Sequence, residues 1–208
     1  EASAPEALAR LRARLGLSDE EVAAWRDVAQ RLHLPAPDPE TGLIEAFRGY
    51  FALEDVTPEA LEDRLIDPAE YWGWPIGVAV HTQVAKQADV LQLLCQTPDV
   101  APEVLAANYD HYEPRTQHGS SLSPSVHALC AARLGRAAEA YRYFRKSAFV
   151  DLEGDFKAVS GGTFIGGVHT AACAGTWQAA VLGFGGLRID GEALHLDPVL
   201  PPGWTGSR

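Results

Sequence analysis

The stretch Glu113-Pro-Arg-Thr-Gln-His-Gly-Ser-Ser-Leu-Ser-Pro-Ser125 constrains the fold more than any other part of the chain. Pro114 cannot continue a helix arriving from 102–112, because it lacks an N–H and its ring clashes with the carbonyl one turn back. Ser121 to Ser123 offer N-caps to the apolar run that follows, and Pro124 suits a first helical turn. The spacing predicts a tight loop entering a helix N-terminus. Backbone N–H groups there lack intrahelical partners, and the helix dipole adds partial positive charge. With the Ser120 and Ser121 hydroxyls, Gly119 allowing close approach and His118 beside them, the loop suits an oxyanion. The same residues equally suit a capped helix start with nothing bound.

Periodicity places helices on either side. Leucines at 8, 11 and 15 predict a helix over 6–15, ended by Gly16. Ser18 with Glu21 three residues on reads as a capping box opening a second helix over 19–33. Its apolar face holds Val22, Trp25, Val28 and Leu32, and the two helices are expected to pair antiparallel. Three prolines and a glycine make 35–42 a loop, and 58–78 reads as irregular. Further helices are expected over 82–96, 102–112, 123–134, 136–149 and 168–182. Leu187/Ile189 and Leu194/Leu196 alternate around Asp190-Gly191, a β-hairpin signal, and Pro198 to Pro202 are expected to lead into another strand. Helix pairs in series with function in their connecting loops suggest an α/α toroid or a helical solenoid. No fixed-period repeat supports near-identical units.

Composition excludes several classes. A net charge of −11 argues against a partner held by phosphate contacts, so no nucleic acid is expected. No apolar run approaches a membrane span. Cys95, Cys130 and Cys173 are odd in number and lie in apolar helical patterns. They read as buried free thiols of a cytoplasmic protein. The sequence contains no methionine, and a processed piece or one chain of a larger protein is expected.

Four groups could carry chemistry. They are the His118–Ser121 loop, Lys86-Gln87, His169 beside a glycine-rich loop, and Tyr71 to Trp74. Lys86 has the alternative of a snorkelling surface lysine, and His169 that of a structural helix-start histidine. The aromatics either stack on a sugar ring or plug the fold. Gly161 to Gly167 does not fit a dinucleotide fingerprint. No Gly-x-Ser-x-Gly elbow or HExxH motif occurs, so neither a nucleophilic triad nor a metal is expected.

Read in order, Lys86-Gln-Ala-Asp89, Tyr112-Glu-Pro-Arg-Thr-Gln-His-Gly-Ser-Ser-Leu-Ser-Pro-Ser-Val-His127, Gly167-Val-His169, Gly175-Thr-Trp177 and Asp197-Pro-Val-Leu-Pro-Pro-Gly-Trp204 resemble glycoside hydrolase family 65. That family includes maltose, trehalose, kojibiose and nigerose phosphorylases, and the resemblance runs from about Leu43 to the end. It implies a mainly α fold: the C-terminal half of an (α/α)6 barrel over 1–182, then the start of a small β-rich domain over 183–208. The implied reaction is inverting phosphorolysis of an α-glucosidic disaccharide to β-glucose 1-phosphate. Inorganic phosphate is the co-substrate and no cofactor is needed. By motif match, His118, Gly119, Ser120, Ser121 and His169 serve the phosphate, and Lys86 and Gln87 reach the glucosyl unit.

The family's general-acid glutamate lies upstream of the Lys-Gln-Ala-Asp block, and none of Glu45, Glu54 and Glu113 sits in its motif, so the catalytic residue is unassigned. Gly166 stands where family members often carry Glu. Half a toroid exposes the apolar faces of its inner helices. The expected partner is therefore a companion chain bearing the missing half, and the resemblance also implies a homodimer. The alternatives are a family-65 α-glucoside hydrolase or a non-catalytic helical module.

Overall fold

A computed structural model describes residues 5–67, 70–73, 75–97, 99–152, 158–159, 163–164, 167–191 and 193–206. The chain divides into two units, up to Pro35 and from Ala36 onward. The first holds α1 (Pro5–Leu15) and α2 (Asp19–Arg31). Gly16 takes a positive φ of 66° at the turn, and the Ser18 hydroxyl accepts from the Glu21 amide at 3.1 Å. The two helices do not pack along one another as the apolar spacing suggests; an Arg12–Asp19 ion pair spans their turn. α1 buries no residue and α2 only Val22. Trp25, Val28 and Leu32 stand exposed, so the apolar stripe of α2 is uncovered.

The second unit is built around α6 (Ser123–Arg133), in which every residue from Ser123 to Ala132 is buried. Small side chains let neighbours approach it on all sides, which explains its lack of a polar face. Around it lie α4 (Asp89–Gln96), α5 (Pro102–Tyr112), α7 (Ala137–Ala148) and α8 (Thr170–Gln178), the last continuing as a π-helical turn over Ala179–Phe184. The core combines Leu91 and Leu94 of α4, Leu105 and Tyr109 of α5, Val126 and Cys130 of α6, and Phe184. Two glycines permit this closeness. A Cβ on Gly175 would fall 2.2 Å from Ser125 Oγ, and one on Gly183 would fall 3.2 Å from Ala132 Cβ.

The expected helix over 82–96 forms only from Asp89. The preceding residues are bends and isolated bridges with no helical turn. Glu54 bridges Thr82 and Ala85 bridges Thr116, both parallel. The Tyr50 hydroxyl donates to the Gln83 carbonyl at 2.7 Å, and Gln83 Nε2 donates to the Leu53 carbonyl at 3.2 Å. These tertiary bonds satisfy the backbone of 82–85 better than a helical turn could, and β-branched Thr82 and Val84 suit extension.

Within the stretch read as irregular, α3 (Pro58–Glu62) is a short helix with Thr57 accepting from the Ala60 amide at 3.4 Å. Thr-Pro at cap and first turn was a legible signal. Asn108 on α5 anchors the loop before it. Its Oδ1 accepts from the Ile44 amide, and its Nδ2 donates to the Gly42 and Val104 carbonyls, at 2.8 to 2.9 Å.

Among the described residues there are two antiparallel strand pairs. β1 (Ala158–Val159) pairs β2 (Thr163–Phe164), and β3 (Leu187–Asp190) pairs β4 (Ala193–Leu196) with Ile189 opposite Leu194. The second is the expected hairpin, turning at Gly191 with φ 57°. No further strand follows among the described residues. Pro198, Pro201 and Pro202 lack ladder donors. The chain folds back instead, placing Trp204 against Phe184 at 5.7 Å between ring centroids, beside Tyr141 and Phe144.

Candidate functional site

The two most chemical segments of the sequence are joined by their backbones. The Ala85 amide donates to the Arg115 carbonyl, and the Gln117 amide donates to the Ala85 carbonyl, both at 2.8 Å. Lys86-Gln87 and His118-Gly119 therefore leave one short parallel bridge side by side. Gly119 makes the approach possible, since a Cβ there would lie 3.4 Å from Lys86 Cγ and 3.1 Å from Gln117 Oε1. Lys86 and Gln87 are exposed on a loop, not on a helix face as the spacing suggests, and Gln87 Nε2 donates to Asp89 Oδ1 at 3.2 Å. They line a cavity of about 390 Å3 whose floor includes Phe47, Tyr50 and Tyr112. Apolar walls with a few convergent polar groups are the usual character of a small-molecule site.

Beyond the bridge, the loop enters α6 by a route the sequence did not show. Leu122, not a serine, occupies the cap position. The Ser123 hydroxyl is diverted to His118 Nδ1, at 2.8 Å, which removes it from capping. Ser120 Oγ accepts from the Leu122 amide at 3.3 Å. Ser120 and Ser121 are half-buried ahead of the helix, where the dipole favours an anion, although the Ser123 amide already donates to the Ser120 carbonyl at 3.2 Å.

His118 carries the strain of this turn, with a φ of 56° in the left-handed region. Ser123 and Tyr143 hydrogen-bond its ring, and His127 packs against it. The hydrogen-bond directions follow from the chemistry of the groups. His127 Nδ1 lies 2.9 Å from the Ser123 carbonyl, which can only accept, so that nitrogen carries the proton. The Tyr143 hydroxyl donates to the Glu113 carboxylate. Its oxygen therefore accepts from His118 Nε2, at 3.2 Å, leaving His118 Nδ1 to accept from Ser123. The His118 and His127 rings are 4.6 Å apart.

Burial, then the neighbouring His127, Lys146 and Arg142, push the His118 pKa down to about 3. Burial likewise lowers His127 to about 4. Both are neutral at pH 7, so His118 shapes the loop as a hydrogen-bonding group, not as a cation. Burial first, and then the bond to Glu113, raise the Tyr143 pKa and keep the phenol protonated. A second cavity, of about 400 Å3, opens on this relay between Glu113, His118, Arg142 and Lys146.

His169 sits at the entry to α8 on a separate support. Asp151 takes both its backbone amide, at 2.9 Å, and its ring Nδ1, at 2.7 Å, through its two carboxylate oxygens. This clamp fixes the ring and leaves Nε2 for another partner. Among the described residues, no hydrogen bond joins His169 to Ser120 or Ser121. Gly166 lies outside the described residues. Of the aromatic stretch, Trp72 is buried, Tyr71 is exposed, and Trp74 lies outside the described residues.

Sequence reasoning missed Glu113, Ser123 and Tyr143 as supports of His118, and Asp151 as the support of His169. Only the Tyr-x-x-Lys spacing on α7, which puts Tyr143 near Lys146 on one face, hinted at a polar cluster. No group of three or more His, Cys, Asp or Glu among the described residues could hold a metal ion. No described helix is long and apolar enough to cross a membrane.

Comparison with known proteins agrees with the motif blocks. Residues 2–178 match the profile of the glycosyl hydrolase family 65 central catalytic domain. The chain is 49% identical over 201 residues to 1,2-alpha-glucosylglycerol phosphorylase of Bacillus selenitireducens, covering 96% of this chain and 26% of that protein. It is 43% identical over 181 residues to nigerose phosphorylase of Lachnoclostridium phytofermentans, covering 86% and 24%. A solved structure from the human microbiome, described provisionally as a kojibiose phosphorylase, superposes with a TM-score of 0.76 at 30% identity, covering 94% of this chain and 28% of the other. The chain thus spans about a quarter of the length of the curated relatives it matches. With its two motif loops bridged at Ala85 and its sequence matched across most of its length, the chain belongs to glycosyl hydrolase family 65.

Proposed function

We propose that this chain is part of an inverting α-glucoside phosphorylase, which cleaves an α-glucosidic bond with inorganic phosphate to give β-glucose 1-phosphate. One observation carries the reading: the paired hydrogen bonds at Ala85 that set Lys86-Gln87 beside the His118–Ser121 loop. In this reading Ser120 and Ser121 cradle the phosphate at the positive end of the α6 dipole. His118 sets the loop, and His169, fixed by Asp151, lends its free ring nitrogen. Lys86 and Gln87 hold the glucosyl unit. Phosphate attacks the anomeric carbon opposite the leaving oxygen, and a carboxylic acid protonates that oxygen as the bond breaks. No side-chain base is needed, because phosphate is itself the nucleophile.

The general-acid glutamate is proposed to come from polypeptide beyond these residues, in the same or a companion chain, together with the rest of an (α/α)6 barrel. Exposed Leu93 and Trp177, each half or more open to solvent, support such a covering partner. The leaving group is a second sugar in the nigerose phosphorylase reading. The activity named for the relative at 49% identity supports glycerol as an alternative. The test is to supply the assembled enzyme with nigerose, kojibiose, trehalose or 2-O-α-glucosylglycerol, with and without phosphate. β-Glucose 1-phosphate formed only with phosphate is expected. Glucose released equally without phosphate would instead identify a hydrolase.

A further inference from the structure

We propose that Cys95 and Cys130 are a redox-active pair whose disulfide staples α4 to α6, the two helices that issue from the two halves of the candidate site. The sulfurs lie 2.9 Å apart across the helix contact. A disulfide needs roughly 2.0 Å, so a small side-chain movement closes it. The pair is asymmetric in a way that suits exchange chemistry. Cys130 is fully buried, while Cys95 is partly open. A hydrogen bond between the two sulfurs, with Arg133 close by, holds the Cys95 thiol below its ordinary range. Arg133 is fixed there by a 2.9 Å bond from its Nη1 to the Cys95 carbonyl. The hydrogen bond with the Cys95 sulfur, and then burial, raise Cys130. Cys95 is thus the attacking thiolate and Cys130 the resolving thiol.

The oxidant is a small disulfide such as oxidised glutathione. The Cys95 thiolate attacks one of its sulfurs, the oxidant S–S bond breaks, and one glutathione thiolate leaves. Cys130 passes its proton to solvent or to that leaving thiolate, attacks Cys95 Sγ and expels the second glutathione. Two protein thiols lose two electrons, and one small disulfide becomes two thiols.

The consequence for the site rests on the phosphorylase reading, but the chemistry does not. Lys86-Gln87 precede the first turn of α4, and Ser120-Ser121 precede that of α6. A covalent tie between these helices fixes the separation of the two loops.

The experiment incubates the full chain in an excess of oxidised glutathione, quenches with acid and maps peptides without reduction. The expected result is a Cys95–Cys130 cross-linked peptide, loss of two of the three free thiols and an unmodified Cys173. Repeating it with Cys173→Ser, at an exposed position, should leave the cross-link unchanged. Glutathione retained on Cys95, a cross-link to Cys173, or three surviving thiols would each overturn the pairing. Hydrogen exchange at the Ala85 and Gln117 amides should slow on oxidation and recover with reductant. Unchanged exchange in the cross-linked protein would overturn the coupling to the loops, whatever the enzyme assay shows.

Discussion

The Ser123 hydroxyl points back at His118 Nδ1, 2.8 Å away, instead of capping the helix it begins. That choice makes the strained turn at His118 persist, because a neutral imidazole fixed at both nitrogens cannot rotate out. The bonds run one way, from Ser123 to His118 to Tyr143 to Glu113, and end on a carboxylate. Only the last member is charged, and Arg142 pairs with it at 3.1 Å.

Tyr143→Phe should remove the acceptor of His118 Nε2 and the donor to Glu113 in one step. The ring would keep its place under the Arg142 guanidinium, 4.6 Å from its centroid. A loss of about 1–3 kcal/mol is expected, since two partly buried groups go unpaired. Urea unfolding compared with the parent chain checks it, and a midpoint within error would show that the relay is not holding the loop.

Stability should fall as pH drops from about 6.5 towards 4. His118 and His127 titrate near 3 and 4 when folded, against about 6.5 when unfolded. Between those values the unfolded chain binds more protons, so the free energy of unfolding rises with pH. The slope is about 1 kcal/mol per pH unit per histidine, and vanishes above about 7. Unfolding midpoints at successive pH values measure it. A flat profile from pH 7 to 5 would mean that the two rings are not buried as neutral groups.

Gly175→Ala should drive a methyl group into Ser125, whose Oγ lies 2.2 Å and Cβ 2.7 Å from the added carbon. α8 would have to move away from α6, at a cost of about 1–3 kcal/mol. Pairing it with Ser125→Gly should recover much of that loss. Thermal melts of the single and double variants decide the matter, and no recovery would place the strain elsewhere.

Ser120→Ala with Ser121→Ala should raise the phosphate concentration that the assembled enzyme requires. Donors to a charged ligand contribute about 1.5–3 kcal/mol each, so the apparent KM for phosphate should rise at least tenfold. The unfolding midpoint should barely change, because among the described residues the only side-chain bond lost is that from the Leu122 amide to Ser120. An unaltered phosphate KM would remove these hydroxyls from the cradle.

The exposed apolar stripe of α2 shows where local pattern and tertiary structure part. Trp25, Val28 and Leu32 fall at helical spacing, and the helix forms as read, but nothing described covers them. At Lys86 the pattern misled in the other direction. Leucines downstream extend a helical period upstream, yet 82–85 is claimed by bonds with Tyr50, Glu54, Arg115 and Gln117, far away in sequence. A periodicity argument sees only neighbours along the chain. At the hairpin it sufficed, because Asp190-Gly191 sets the turn locally and Gly191 supplies the positive φ.

By itself, the order of residues determined the helix ends at Gly16, Pro114 and Gly135, the final hairpin, and the motif blocks that mark the family. Each depends on backbone conformations that one or two residues impose. Tertiary structure alone decided that Lys86 stands beside Gly119, that Ser123 serves His118, that Asp151 clamps His169 and that Cys95 faces Cys130. Those pairings are set by how α4, α7 and α8 close on α6, and packing of that kind depends on side-chain volumes from distant parts of the chain meeting at once.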